Sequence, residues 1–156
     1  MTTPLLSACL LIVSALLPVG IVQAGQQDGL SVQRMTELVH EVTLAQNKAT
    51  TRGATLEDVE RLYAMYTADF IYEHPGMDDV YTRELLFRNH TRALERGVYD
   101  DYDPAEYGYR IVETMAGDGA VAVHRSQARL GDAPPRMAVF EFRDGKVARI
   151  REYWNY

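Results

Sequence analysis

From Val32 the apolar residues Val32, Met35, Leu38, Val39, Val42, Ala45 and Ala49 return at steps of three and four, which predicts a helix with one buried stripe. A polar break over 50–54 leads to Thr55-Leu56-Glu57-Asp58, a capping-box start in which the threonine accepts from a free backbone amide. The second helix that follows turns Leu56, Val59, Leu62, Tyr63 and Tyr66 inward. A short strand, 70–74, then stops at His74, because Pro75 lacks a donor and holds the residue before it extended. Residues 76–80 read as a turn. Helical spacing resumes over 82–97 through Leu85, Leu86, Asn89, Ala93 and Leu94, and Gly97 is the stop. The stretch 98–108 is acidic and tyrosine-rich without a clean period, and it reads as a loop. Beyond it the period drops to two: strands are expected over 109–115, 120–130, 136–143 and 146–154, separated by glycine-rich breaks.

A one-residue slip in a hairpin turns a whole strand over, so the last turn decides which side chains share the core face. A two-residue Asp144-Gly145 turn puts Phe140 opposite Arg149. A three-residue turn with a glycine bulge puts Phe140 opposite Ala148 and Ala138 opposite Ile150. The second is preferred, since it gathers Ala138, Phe140, Phe142, Ala148, Ile150 and Trp154 on one face. Glu152 then joins them, and a carboxylate there asks for a partner or a job. In the strand 120–130 the β-branched Val121 and Val123 favour the inward parity that also brings in Arg125 and Gln127; the opposite parity brings in His124. Arg125 is thus a candidate partner for Glu152, as a neutralising pair or as a group that orients a substrate.

Composition narrows the function classes. The first 24 residues carry no charge and include an apolar run interrupted by Pro18 and Gly20, then small residues up to Ala24. They read as a signal peptide cut before Gly25, with a transmembrane anchor as the alternative. Export to the periplasm or outside the cell is expected, with residues 25–156 as one domain and no membrane attachment after cleavage. Cys9, the single cysteine, precedes most of the apolar run, so it does not fit a lipid-anchoring site. The remaining chain has no thiol, which excludes disulfides and cysteine nucleophiles. All of the net charge of −6 falls on it, and a nucleic-acid surface is disfavoured.

His74 is the leading acid/base candidate, because imidazole titrates near neutrality and a strand end is a natural rim for a pocket. A structural histidine bonded to a backbone carbonyl is the plain alternative. His90 either joins a network with Tyr66 and His74 or faces solvent between Arg88 and Arg92. The histidines show no metal-ligand spacing such as HxH or HExxH, so neither a metal nor a cofactor is expected.

The segment Tyr66-Thr-Ala-Asp-Phe-Ile-Tyr-Glu-His74-Pro75-Gly76, the run Tyr81-Thr-Arg-Glu-Leu-Leu-Phe87 and the ending Phe140-Glu-Phe-Arg-Asp-Gly-Lys-Val-Ala-Arg-Ile-Arg-Glu-Tyr-Trp154 together resemble the NTF2-like superfamily and its SnoaL-like branch. The resemblance spans residues 31–156. It implies an α+β cone, three N-terminal helices packed on a curved antiparallel sheet, around an apolar interior. It also implies a homodimer through the outer sheet face and a small apolar organic molecule as ligand. Ketosteroid isomerases of this superfamily carry a catalytic aspartate before the matching proline, so the resemblance puts His74 in the base's place. Their oxyanion-stabilising tyrosine and acid have no counterpart here: helix one lacks a tyrosine and the matching strand position is Ala138. Steroid isomerisation is therefore disfavoured. Asn155 likewise stands where the cyclases often have a carboxylate.

The expected site is His74, Glu152 and Arg125 as catalytic groups, with Tyr66, Tyr72, His90, Phe140, Ile150 and Trp154 lining the pocket. Two activities fit it: cofactor-free isomerisation, cyclisation or dehydration, or non-catalytic carriage or association.

Overall fold

The computed structural model of the protein describes residues 30–154; the leader with Cys9, and Asn155, lie outside them. Ser31 accepts a hydrogen bond from the Arg34 amide and opens α1 (Val32–Ala49). This helix buries Met35, Leu38, Val39 and Val42, whereas Val32, in its first turn, stays more than half exposed. Thr55 accepts from the Asp58 amide at 3.2 Å and Asp58 accepts from the Thr55 amide at 3.1 Å, the reciprocal cap of α2 (Leu56–Ala64). Val59, Leu62 and Tyr63 turn inward from α2, and Leu56 at its start remains exposed.

The next strand, β1 (Tyr66–His74), begins four residues before the expected position. Tertiary pairing accounts for the extension, since Tyr66 lies beside Val147 on the last strand. Pro75 ends β1 as expected and starts a single 3-10 turn (Pro75–Met77). The segment read as a plain turn also holds the beginning of a return strand, β2 (Asp79–Thr82), which pairs His74 with Asp79 and Tyr72 with Tyr81. Thr82 then caps α3 (Arg83–Glu95), and Gly97, with φ of +67°, stops it. The expected loop that follows contains a 3-10 turn (Val98–Asp101) and a one-turn helix, α4 (Pro104–Tyr107).

Four antiparallel strands complete the chain: β3 (Arg110–Ala116), β4 (Ala120–Ser126), β5 (Arg136–Arg143) and β6 (Lys146–Tyr153). The fourth residue beyond Ser126 falls in a 3-10 turn (Ala128–Leu130), so β4 is shorter than expected. The sheet order is β2-β1-β6-β5-β4-β3. Because β1 runs parallel to β6, the sheet is mixed and not wholly antiparallel.

The last hairpin differs in detail from both expected registers. Arg143 pairs with Lys146 across a two-residue Asp144-Gly145 turn with both residues at positive φ, and a bulge at Ala148 then shifts the pairing by one. Phe140 therefore faces Ile150 and Ala138 faces Glu152, while Val147 takes the inward place expected for Ala148. The bulge restores the parity that a three-residue turn would have given. Phe140, Ile150 and Glu152 share the inner face with Val121, Val123 and Arg125 of β4. His124 points to the outer face, beside Glu113 at 3.3 Å. That outer face carries a ladder in which Arg149 and Arg151 each pair with Glu73 and Glu141. Among the described residues no helix is long and apolar enough to cross a membrane.

Candidate functional site

Between the helices and the inner face of the sheet lies a cavity of about 300 Å³, at the small end of ligand sites. Its helical side is formed by Gln46 and Thr50 of α1 with Leu86, Asn89 and His90 of α3. Its sheet side is formed by Tyr66 and Tyr72 of β1, Tyr81 of β2, Tyr109 and Glu152. Leu86 is the one aliphatic group among these, so the wall is aromatic and polar, unlike the apolar interior that the resemblance implies. A wider groove of about 370 Å³ between α1 and α2 lies beside Leu44, Lys48 and Asp58. It lacks a comparable convergence of buried polar groups.

Strand alternation sets the polar wall. Tyr72 and His74 stand two residues apart on β1, and the parallel register places Tyr72 beside Ile150, two residues before Glu152. Tyr72 donates to Glu152 Oε2 at 2.5 Å, and His74 Nε2 lies 3.0 Å from the same hydroxyl. Because the phenol's hydrogen goes to the carboxylate, His74 Nε2 carries a hydrogen and donates to Tyr72. Arg125 donates through Nη2 to Glu152 Oε1 and through Nη1 to Gln46 Oε1 at 2.8 Å. Gln46 Nε2 in turn donates to the Tyr66 hydroxyl at 3.3 Å. One hydrogen-bonded chain thus runs from His74 through Tyr72, Glu152, Arg125 and Gln46 to Tyr66.

Arg125 reaches Glu152 across β5, where Ala138, fully buried and paired with Glu152, leaves the space for it. The guanidinium is itself fully buried and packs over the Tyr109 ring at 4.1 Å. Burial, and then the Glu152 charge, hold the Tyr72 hydroxyl well above the usual tyrosine range. Burial raises Tyr66 as well.

Several expected site residues occupy other places. His74 is only 1% exposed and does not line the cavity; Tyr72 and Glu152 stand between it and the open space, and its ring meets the Trp154 ring edge-on at 5.7 Å. Phe140 and Ile150 belong to the fully buried core and do not line the cavity. Trp154 packs on His74 and near Arg125 instead of facing the cavity. The Tyr66, His90 and His74 network does not form: Tyr66 meets Gln46, His90 meets Tyr63, and His74 meets Tyr72. Gln46, Tyr81 and Tyr109 were not expected at the site. Gln46 had a signal, since Val39, Val42, Gln46 and Ala49 continue the helical steps of three and four. Among the described residues no cluster of three or more His, Cys, Asp or Glu could hold a metal.

His90 faces the cavity and lies 3.3 Å through Nδ1 from the Tyr63 hydroxyl. Burial alone lowers it from 6.5 to about 4, so the ring is neutral at pH 7. Its unfolded form binds the proton more tightly, so the stability it contributes is present above pH 6.5 and is lost as pH falls toward 4. Between pH 7 and pH 5 the wild type is expected to lose about 2 kcal/mol more unfolding free energy than His90→Gln. Urea titrations of both proteins at the two pH values check this, and equal losses refute it.

No family model matches this sequence, and no curated protein matches it. Solved structures do match. A SnoaL-like protein of unknown function from Burkholderia thailandensis is similar at 16% identity, over 81% of this chain and 99% of that one, with a TM-score of 0.56. A provisionally named ketosteroid isomerase from Kribbella flavida is similar at 18% identity, over 80% and 79%, with a TM-score of 0.51. A de novo designed protein with a curved β-sheet reaches 0.56 at 16% identity over 81% and 88%, so this shape by itself prescribes no chemistry. The order of helices and the curved six-stranded sheet of this chain, with the likeness to these structures over about four-fifths of its length, show that it has the NTF2-like α+β cone fold.

Proposed function

We propose that the protein binds a small oxygen-bearing organic molecule in this cavity and moves a proton on it without a cofactor. One observation carries the reading: a buried carboxylate, Glu152, faces the cavity with each oxygen held by its own donor. A carboxylate has about four lone-pair sites, so oxygens engaged by Arg125 and Tyr72 keep acceptor capacity toward a ligand. In the step proposed, Glu152 takes a proton from the carbon beside a carbonyl. The C–H electron pair becomes the enolate double bond, charge passes to the carbonyl oxygen, and the carboxyl group later returns a proton to carbon. Isomerisation, aldol cyclisation and dehydration share this step. His74, behind Tyr72, is a positioning residue in this scheme, because it acts through the phenol.

The test uses 2-acetylnaphthalene, an aryl methyl ketone, in D₂O, with loss of its methyl proton signal followed by NMR. The wild type is expected to accelerate exchange over buffer. Binding without acceleration would favour the carrier reading, and no binding would remove both. Export to the periplasm or beyond forms part of the proposal, supported by the uncharged apolar leader. A homodimer through the outer sheet face is also proposed, supported by the exposed Met115, Met137 and Tyr153 there. Native mass spectrometry giving only a monomer would rule the homodimer out.

A further inference from the structure

We infer that Tyr66 and His90 form a pair of neutral hydrogen-bond donors that selects an uncharged carbonyl ligand. The inference rests on the small-molecule reading of the cavity above and adds the class of group recognised there. Its basis is where the hydrogens must lie.

Consider Tyr66 first. Arg125 has only donors, so the Gln46 atom facing Nη1 at 2.8 Å is the amide oxygen. The other end of the same amide, its NH₂, therefore faces the Tyr66 hydroxyl and donates to it. With its oxygen accepting from Gln46, Tyr66 keeps its own hydrogen for another acceptor, and its side chain lines the cavity. Arg125 thereby sets the direction of a hydroxyl it does not touch.

His90 follows by similar reasoning. Tyr63 is 1% exposed, and its buried hydroxyl meets Nδ1 of His90 at 3.3 Å. A buried phenol that gave its hydrogen to nothing would lose a hydrogen bond, so Tyr63 donates and Nδ1 accepts. A neutral ring with an accepting Nδ1 carries its hydrogen on Nε2. The low affinity of this buried ring for a second proton keeps it neutral at pH 7. Nδ1 is turned to Tyr63, and Nε2–H is the polar group left for the cavity that His90 lines.

The two donors flank one aromatic ring. Tyr63 meets Tyr66 at 5.3 Å between ring centroids and His90 at 5.7 Å, both edge-on. Neither donor carries charge, and the charge at the wall is the Glu152 carboxylate, already paired with Arg125. An anionic ligand would meet that carboxylate without a cation of its own at the wall. A carbonyl oxygen takes two donors without bringing charge.

The experiment compares four naphthalene probes by fluorescence or calorimetric titration: 2-acetylnaphthalene, 2-ethylnaphthalene, 2-naphthoate and 2-naphthylmethylammonium. The ketone is expected to bind about tenfold more tightly than the ethyl compound, in line with the worth of neutral hydrogen bonds. Tyr66→Phe and His90→Phe should each reduce that ratio to about threefold. Tyr63→Phe, which frees His90 to change tautomer, should weaken it without touching the ligand. Equal binding of ketone and ethyl compound would leave the cavity reading intact and overturn the donor pair. Tighter binding of the naphthoate or the ammonium would also overturn it. Failure of all four to bind would remove the cavity reading and the pair together. Nitrogen-15 shifts of the His90 ring give a ligand-free check: a pyrrole-like Nε2 is required, and a protonated Nδ1 in the neutral ring would overturn the assignment.

Discussion

Arg125→Met is expected to lower the unfolding free energy by about 3–5 kcal/mol, the usual cost of removing one partner from a buried ion pair. The arginine is 0% exposed and Glu152 only 2% exposed, so the carboxylate left behind stays almost wholly buried without the guanidinium that neutralised it. The Tyr72 hydrogen bond would remain on Oε2, with His74 Nε2 3.6 Å from the same oxygen. Methionine fills much of the same space, so lost charge compensation, not a cavity, dominates the effect. Against the roughly 5–15 kcal/mol of stability common to domains, this loss is a large fraction of the total. The double variant Arg125→Met/Glu152→Leu should be more stable than Arg125→Met alone, because it removes the stranded charge as well. Urea midpoints for the wild type, both single variants and the double variant give the coupling directly. A double variant no better than the sum of the two singles would show that the pair does not interact in the fold.

The pair was legible in the sequence because β-strand alternation is strict. Val121 and Val123 fix the parity that carries Arg125 inward, and Ala138 and Phe140 do the same for Glu152 through the last hairpin. The hairpin itself was misread in detail, since a turn and a bulge can produce the same parity at different positions. The element order was legible for the same reason, whereas β2 and the parallel contact of β1 with β6 were not. β2 has four residues, too few to show a period, and a parallel neighbour is chosen by the whole sheet. Pro75 marks His74 as a strand-end residue and so as a pocket rim group, but its burial and its separation from the cavity depend on Tyr72 and Glu152 meeting in front of it. Those two residues are distant in sequence. Gln46 was overlooked because a single polar residue on a buried stripe carries meaning only once its partners, Arg125 and Tyr66, are placed.

Glu152→Gln is expected to cut the exchange rate of bound 2-acetylnaphthalene by about 10²–10⁴-fold, the range associated with losing a positioned base. The amide preserves shape, and its one oxygen can still accept from Arg125 while its NH₂ takes the place of the oxygen that accepted from Tyr72, but it cannot take a proton from carbon at neutral pH. Affinity for the probe should change only a few-fold, since the donors that hold its oxygen are elsewhere on the wall. Rates must be read at saturating probe and corrected for the folded fraction, because the same change leaves Arg125 without its counter-charge. Tyr72→Phe separates orientation from proton transfer: Glu152 stays in place but its Oε2 loses the 2.5 Å donor, so a smaller fall, about tenfold, is expected. At position 74 the two readings of the histidine part company. If His74 acts by donating to Tyr72, His74→Gln, which keeps a donor, should retain most of the rate that His74→Ala loses. A histidine that itself carried the proton would leave both variants equally inactive, and unchanged exchange in both would remove it from the mechanism altogether. Exchange that survives Glu152→Gln at the wild-type rate would refute the carboxylate as the base and leave the cavity as a binding site alone.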